Sequence, residues 1–283
     1  MKYSFQFMGV GMGITVLAVV FLAFVAFDRD VSMIRIAFLN IGQGDAILIS
    51  HGSNQFLIDT GENGRSLLAE IGQLMPPWDR TIESVLLTHP DNDHVGGFTS
   101  LVSRYEVKTV LVADSFAQTE NGTSVLEKIA TQEIRRIDPR RGTSIVFAPE
   151  VILLIEHPDE NFVFNTKKTN DSSIVVKLRV GKDVFLFTGD LEHEELVLPE
   201  EDIRVLKVAH HGSRYSTSDA FLDRMRPEEA IILVGKNSYG HPSQDVLDRL
   251  IRRNIRIFRT DTDGRIVYSC SIFADRSCEI MMP

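Results

Sequence analysis

The chain has 283 residues, of which 43% are hydrophobic and 24% charged. That balance allows one large domain or two small ones with an ample core, and no tract is biased enough to read as disorder. A formal net charge of −9 excludes a general nucleic-acid-coating protein, so any anionic substrate must be held locally.

The first thirty residues stand apart. Phe5 to Phe27 carries no charge over 23 residues, long enough at about 1.5 Å per residue to span a bilayer core. A cleaved signal peptide, the rival reading, has a shorter apolar core and small residues before its cut. Here Phe24 lies two before Ala26 and Phe21 two before Ala23, so neither alanine makes such a site. The reading is an uncleaved single-pass membrane anchor over residues 1–30, followed by one domain over residues 31–283 with no dividing linker. Lys2 on one side and Asp28, Arg29 and Asp30 on the other lean towards a cytoplasmic N-terminus and an extracytoplasmic domain.

From Met33 onward, β-branched runs alternate with turn signals. "MIRIAFLNIG", "DAILISH" and "NQFLIDTG" predict three consecutive strands, with a hairpin turn at Gly52 to Gln55. "SLLAEIGQLM" has helical spacing at Leu67, Leu68, Ile71 and Leu74, with Ser66 as N-cap candidate and a Pro-Pro stop. "IESVLLTH" predicts a buried strand, "VGGFTSLVSRY" a helix and "VKTVLVAD" a strand. In the second half "EVILLIEH", "SSIVVKLRV", "DVFLFTGD", "IRVLKVAHHGS" and "EAIILVG" predict strands. "SDAFLDRM" and "SQDVLDRLIRR" predict serine-capped helices, and "IRIFRT" and "GRIVYSCSIF" finish the sheet. Hairpin runs of strands with helices between the runs favour an α+β fold of two sheets packed face to face, helices outside, over a doubly wound parallel sheet. Cys270 and Cys278 flank "SIFADRS", and either close a hairpin as a disulfide outside the cell or remain two thiols.

The chemistry concentrates in "LLTHPDNDHVGG", Leu86 to Gly97. Desolvating one unpaired carboxylate at the end of a buried strand is costly, and three crowded together repel. A cation must sit among them. His89 and Asp91 project the same way in extended backbone, whereas the adjacent Asp93 and His94 can diverge towards a second centre. Gly96 and Gly97 let the following helix pack close to the sheet. Four such residues at this spacing suggest two metal ions.

This arrangement resembles the HxHxDH signature of the metallo-β-lactamase superfamily, with Asp91 where the second histidine usually stands. The resemblance implies an αββα four-layer sandwich with a dinuclear site at one edge. "FLIDTG" is similar to the family strand whose aspartate, here Asp59, supports the site, and "FLFTGD" to the strand whose aspartate, here Asp190, bridges both metals. "FLNIGQGDAILI", "THPDNDHVGG", "NDSSIVV", "FTGDLE", "LKVAHHGSRYSTS" and "GHPS" together resemble the C-terminal hydrolase domain of ComEC-type competence proteins. Family order makes one of His210 and His211 a metal ligand. Alternation along the strand puts them on opposite faces, so the other holds or protonates substrate. Two departures stand out. The usual third-motif histidine is missing, its place falling in Asn170-Asp171-Ser172-Ser173, so the first site either has fewer nitrogen ligands or is completed by Asp171 or a water. And the family's multi-span channel is absent, so a separate membrane channel protein would have to serve as partner.

The resulting metal set is His89, Asp91, Asp93, His94, Asp190, His210 and His211, with Asp93, Asp190, His210, His211 and His241 as the catalytic candidates. Its oxygen-rich ligation shifts the site towards harder ions, so that for the two divalent ions zinc remains the family default and manganese competes with it. Two such ions about 3.5–4 Å apart activate water and stabilise both oxygens of an in-line displacement. That names a hydrolase, not a substrate. For substrate, Ser213, Ser216 and Thr217 offer hydroxyls beside His211, and His241 suits a phosphate or supporting role. Lys207 shares a face with His211 and either neutralises a phosphate or is solvated. Arg135, Arg136, Arg140 and Arg141 are either a backbone-tracking patch or a solvated run. His51 and His157 read as solvent-facing, and His193 as a helix-surface residue. Three functions compete: a phosphodiesterase or nuclease acting on DNA, a hydrolase of a cell-envelope phosphoester or small ester, and a non-catalytic binding module. The DNA reading, with a role in DNA uptake, is the one the resemblance implies.

Overall fold

A computed structural model describes residues 32–196, 198, 201–272 and 277–281. Its elements are β1 (Met33–Phe38), β2 (Ile47–His51), β3 (Asn54–Ile58), α1 (Gly64–Leu74), β4 (Thr81–Leu86), α2 (Asn92–Val95), α3 (Phe98–Arg104), β5 (Glu106–Leu111), α4 (Glu120–Thr131), β6 (Arg135–Ile137), β7 (Ser144–Ala148) and β8 (Val151–His157). There follow β9 (Val175–Val180), β10 (Asp183–Phe187), β11 (Val205–Lys207), α5 (Asp219–Met225), β12 (Glu229–Ile232), α6 (Gln244–Arg252), β13 (Arg256–Arg259), α7 (Thr260–Asp263), β14 (Ile266–Ser271) and β15 (Glu279–Met281). One sheet runs β15-β14-β1-β2-β3-β4-β5-β6 and the other β13-β12-β11-β10-β9-β8-β7.

Period-two alternation assigns each strand's two faces to different layers. Ile34, Ile36, Phe38, Phe56 and Ile58 of the first sheet meet Phe185, Phe187, Leu178 and Leu153 of the second in a shared core. The intervening Ala37 and Leu57 face outward onto Leu67 and Ile71 of α1, Leu101 of α3 and Val125 of α4. Val184 and Leu186 likewise turn to Phe221 and Leu222 of α5 and Val246 and Leu250 of α6. The result is the expected α+β sandwich with helices on both outsides.

Several local expectations change. The strands are not all hairpin runs: β3 to β6, and β10 to β13, are parallel neighbours, because helical crossovers join most of them. "IRIFRT" and "GRIVYSCSIF" do not finish one sheet, since β13 edges the second and β14 lies in the first. Asn63, not Ser66, caps α1, its side chain accepting from the N–H groups of Arg65 and Ser66. His157 is not solvent-facing: it is buried, and its Nε2 lies 2.9 Å from the Asp171 carbonyl, to which it donates. Cys270 and Cys278 are joined as a disulfide. The anchor expected at residues 1–30 lies outside the described residues, among which no helix is long and apolar enough to cross a membrane.

Between β10 and β11, Glu194 is fully buried and accepts from the Thr217 N–H at 2.9 Å. Burial pushes its carboxyl from 4.5 up to about 7. A raised acid pKa means that the folded state holds a proton the unfolded chain releases. Stability from this group is therefore full below about pH 4.5 and is lost as pH rises through about 7. The loss is on the order of 3 kcal/mol, at about 1.4 kcal/mol per pH unit crossed. Glu194→Gln keeps an acceptor for Thr217 and removes the titration. The wild-type-minus-variant unfolding free energy, followed by denaturant titration from pH 4.5 to 8, is expected to fall over that window. A difference that stays flat would show that the group does not titrate there.

Candidate metal centre

The carboxyl ends of parallel strands from both sheets converge on one edge. Asp59 follows β3, Thr88 and His89 follow β4, Asp190 follows β10, and His210 and His211 follow β11. Close approach of the segments is built in. A Cβ on Gly97 would lie 2.2 Å from the Thr60 carbonyl oxygen, and one on Gly44 2.1 Å from that of Asp93. Glycine at these positions lets α2 and the Gly42–Asp45 loop meet, with the Asp45 N–H donating to the Asp93 carbonyl at 3.1 Å.

At the centre, Asp93, His94, Asp190 and His211 place one donor atom each within 4.8 Å of one another. His94 Nε2 lies 3.3 Å and His211 Nε2 3.4 Å from Asp190 Oδ2. His211 Nε2 is also 3.1 Å from Asp93 Oδ2. Each ring is aimed from behind. His94 Nδ1 is 2.8 Å from Asp59 Oδ2, and Asp59 is itself fixed by the Thr88 N–H and hydroxyl at 2.8 and 2.7 Å. His211 Nδ1 donates to the Leu233 carbonyl at 2.8 Å. Both imidazoles therefore carry Nδ1–H and present Nε2 to the cluster, the arrangement that metal-ligating histidines use. Asp59, His210 and His211 adopt left-handed backbone, φ 57°, 48° and 52°, strain that the surrounding contacts must hold.

Electrostatics tests whether a cation fits. Burial opposes charge on His94, yet Asp190 and Asp59 outweigh it and hold the ring well above the ordinary histidine range. His211 overcomes burial in the same way, through Asp190, Asp45 and Asp93, and is raised to about 10. Asp190 resists burial because His211, His94 and Lys207 keep it ionised. Two protons thus stand where the carboxylates demand positive charge, and a divalent ion would displace them. His89 Nε2 and Asp190 Oδ1 are buried without a hydrogen-bond partner, a costly arrangement unless something else uses the lone pairs. The residues fit a metal.

His89 and Asp91 sit beside this cluster, Nε2 to Oδ2 at 3.8 Å, and the His89 and His94 rings are 4.1 Å apart. Burial, then the charged His94, pushes His89 down to about 3, so its lone pair is free. His210 and His211 are not on opposite faces. The left-handed turn replaces strand alternation and brings both towards Asp190, His210 Nε2 at 3.9 Å from Oδ2. His210 remains part-exposed beside Glu192 (3.1 Å) and Asn170 (3.2 Å), with His241 packed on its ring at 5.2 Å. Asp91, Asp93, Asp190, His210, His211 and His241 line one open cleft.

The expected substrate residues mostly lie elsewhere. Lys207 is 1% exposed, donates to the Gly189 carbonyl at 2.7 Å and pairs with buried Asp45. It therefore cannot reach a phosphate in the cleft. Thr217 is fully buried against Glu194, and Ser213 is buried with its hydroxyl accepting from the Tyr215 N–H, so neither lines the cleft. Arg136 and Arg140 pair with Asp114 and Asp138, and none of the four arginines lines the cleft. The sequence reading missed Asp45, whose only signal was an acid within "GQGDAILI", and Tyr239, an exposed aromatic on the cleft rim.

A family model described as the metallo-beta-lactamase superfamily matches residues 39–236. The chain is 33% identical to ComE operon protein 3 of Bacillus subtilis, over 81% of this chain and 32% of that one. It is 28% identical to Recombination protein 2 of Haemophilus influenzae, over 84% of this chain and 29% of that one. It is 26% identical to Competence protein ComA of Neisseria gonorrhoeae, over 80% and 31%. The chain thus spans about a third of the length of these relatives. Among solved structures, the metallo-beta-lactamase fold protein YhfI of Bacillus subtilis superposes with TM-score 0.57 at 11% identity, covering 84% of this chain and 99% of that one. Zn(2+)-bound PqqB of Methylobacterium extorquens superposes with TM-score 0.53 at 11% identity, covering 80% and 97%. At those identities the likeness is one of fold.

Proposed function

The chain belongs to the metallo-β-lactamase superfamily, with competence proteins among its relatives, and from that premise we propose that it is a metal-dependent phosphodiesterase whose polymer substrate is DNA. The observation that carries this is the set Asp93, His94, Asp190 and His211, of which Asp93, Asp190 and His211 line the open cleft and His94 lies buried behind them, with His89 and Asp91 beside it. Two divalent ions there, zinc or manganese, would supply an activated water and charge for the phosphoryl oxygens. The chain's own groups do the rest. Asp59 and the Leu233 carbonyl keep the His94 and His211 rings aimed. His241 is pushed down to about 4 by burial and by His210 and His211, so at pH 7 it is neutral and offers an N–H to a phosphate oxygen. His210, part-exposed on the cleft with Glu192 at 3.1 Å, is placed to protonate the leaving oxygen.

Tyr239 supports a polymer over a small ester. It is 74% exposed on the cleft rim, 5.8 Å from the His241 ring, a surface on which a splayed base can stack. The test is cleavage of single-stranded DNA with manganese or zinc, run beside a chromogenic aryl phosphodiester. Tyr239→Ala is expected to raise KM for the DNA roughly tenfold and to leave the aryl diester unaffected. Cleavage of the aryl diester without any cleavage of DNA would favour a small envelope phosphoester instead.

The reading extends to location. The uncharged run Phe5 to Phe27 and the Cys270–Cys278 disulfide support a domain tethered outside the cytoplasmic membrane. Protease added to intact spheroplasts is the check on that placement.

A further inference from the structure

The two halves of the cleft floor are built unequally. Asp93, His94, Asp190 and His211 supply four donors, with His94 and His211 each fixed through Nδ1. The other half has His89 and Asp91, with Asp190 as the residue it would share. His89 Nε2 is completely buried and has no hydrogen-bond partner, with Asp91 Oδ2 3.8 Å away. Asp91, by contrast, has a side chain 38% exposed on the cleft.

The 169–173 segment, where the family's third-motif histidine is missing, holds Asp91 through the Thr169 side chain but brings no residue into the donor cluster. Asn170 turns its amide to His210 Nδ1. The Asp171 carbonyl is taken by His157. Ser173 Oγ accepts from the Asp190 N–H at 3.0 Å and lies 3.3 Å from His89 Nδ1, the nitrogen on the far side of the ring from Nε2. Of this half, only Asp91 lines the cleft, whereas His89 lies buried behind it.

Resting on the hydrolase reading above, we infer that the chain has one high-affinity metal position at Asp93, His94, Asp190 and His211, and one low-affinity position at His89 and Asp91 that a substrate phosphate oxygen completes. Fewer protein donors and a half-exposed carboxylate weaken the second position, and its open side is the side from which a phosphodiester arrives. His89 and Asp91 would then hold an ion well only when substrate is bound, which would confine any chemistry that needs both positions to the occupied cleft.

The test is a calorimetric titration of the metal-free full-length chain in detergent with Mn2+ alone, repeated with dimethyl phosphate as an uncleaved diester. Two steps are expected, the second weaker by about tenfold or more and tightened by dimethyl phosphate. His89→Ala, and the gentler surface change Asp91→Asn, should each remove the weak step and spare the tight one. His211→Ala should weaken the tight one. Two steps of equal affinity, a single step even with dimethyl phosphate, or loss of the tight step in Asp91→Asn would overturn the inference. Failure to cleave DNA with the two-step titration intact would instead count against the substrate reading.

Discussion

Asp190→Asn is expected to cost about 10–100-fold in metal affinity and about 10²–10³-fold in kcat/KM with metal in excess, while the fold persists. The carboxylate is the hub of the site: Oδ2 faces His94, His210 and His211 at 3.3, 3.9 and 3.4 Å, and Oδ1 faces Lys207 at 3.5 Å. An amide of the same shape keeps the volume but removes the negative charge and turns an N–H₂ towards one of those cationic partners. Because its backbone N–H stays bonded to Ser173 and the neighbouring Gly189 carbonyl to Lys207, the strand end should hold its place. Metal content after dialysis, kcat/KM at saturating Mn2+ and the thermal midpoint separate these effects. Activity within about threefold of wild type would remove Asp190 from the centre of the mechanism, since even the loss of one preorganised charge-stabilising contact exceeds that.

How much of this was legible in the sequence depends on how local each signal is. "HPDNDH" announced itself because ligand types fell within six consecutive residues at the end of an apolar run. Asp190 and the histidine pair were found in the same way, each closing a buried strand. The layers were legible too, since Ile34, Ile36 and Phe38 alternate as a two-faced strand must. Helix α4 was missed because its first half, "ENGTS", is polar and carries a glycine, leaving only Val125 and Ile129 as buried apolar side chains. The geometry of His210 and His211 was misread because alternation presumes extended backbone. Nothing in the residue types signals two successive non-glycine residues in the left-handed region. Asp45 was invisible as a participant, since its role exists only where a loop of the first sheet meets a strand of the second.

Lys207 is the sharpest case, and its removal carries the largest expected effect on stability. In "RVLKVA" a lysine reads as a solvent-facing residue or a phosphate contact. In the fold it is 1% exposed and paired with Asp45, itself 2% exposed, while its ammonium donates to the Gly189 carbonyl at 2.7 Å. Burial alone would strip its proton, but Asp45 and Asp190 outweigh that and raise its pKa. Removing one member of such a pair leaves an uncompensated buried charge, which costs about 3–5 kcal/mol. Lys207→Met is therefore expected to lose about that much unfolding free energy in urea. The double change Asp45→Asn with Lys207→Met removes both charges together and should recover most of it, because neither buried group is then left charged without its partner. The same pair touches the metal cluster: Asp45 Oδ1 lies 3.4 Å from His211 Nδ1, and the lysine lies behind Asp190. The double variant, though stable, should therefore still bind Mn2+ differently from wild type. A Lys207→Met protein as stable as wild type, with only a raised KM for DNA, would restore the lysine to the cleft and refute the buried-pair reading.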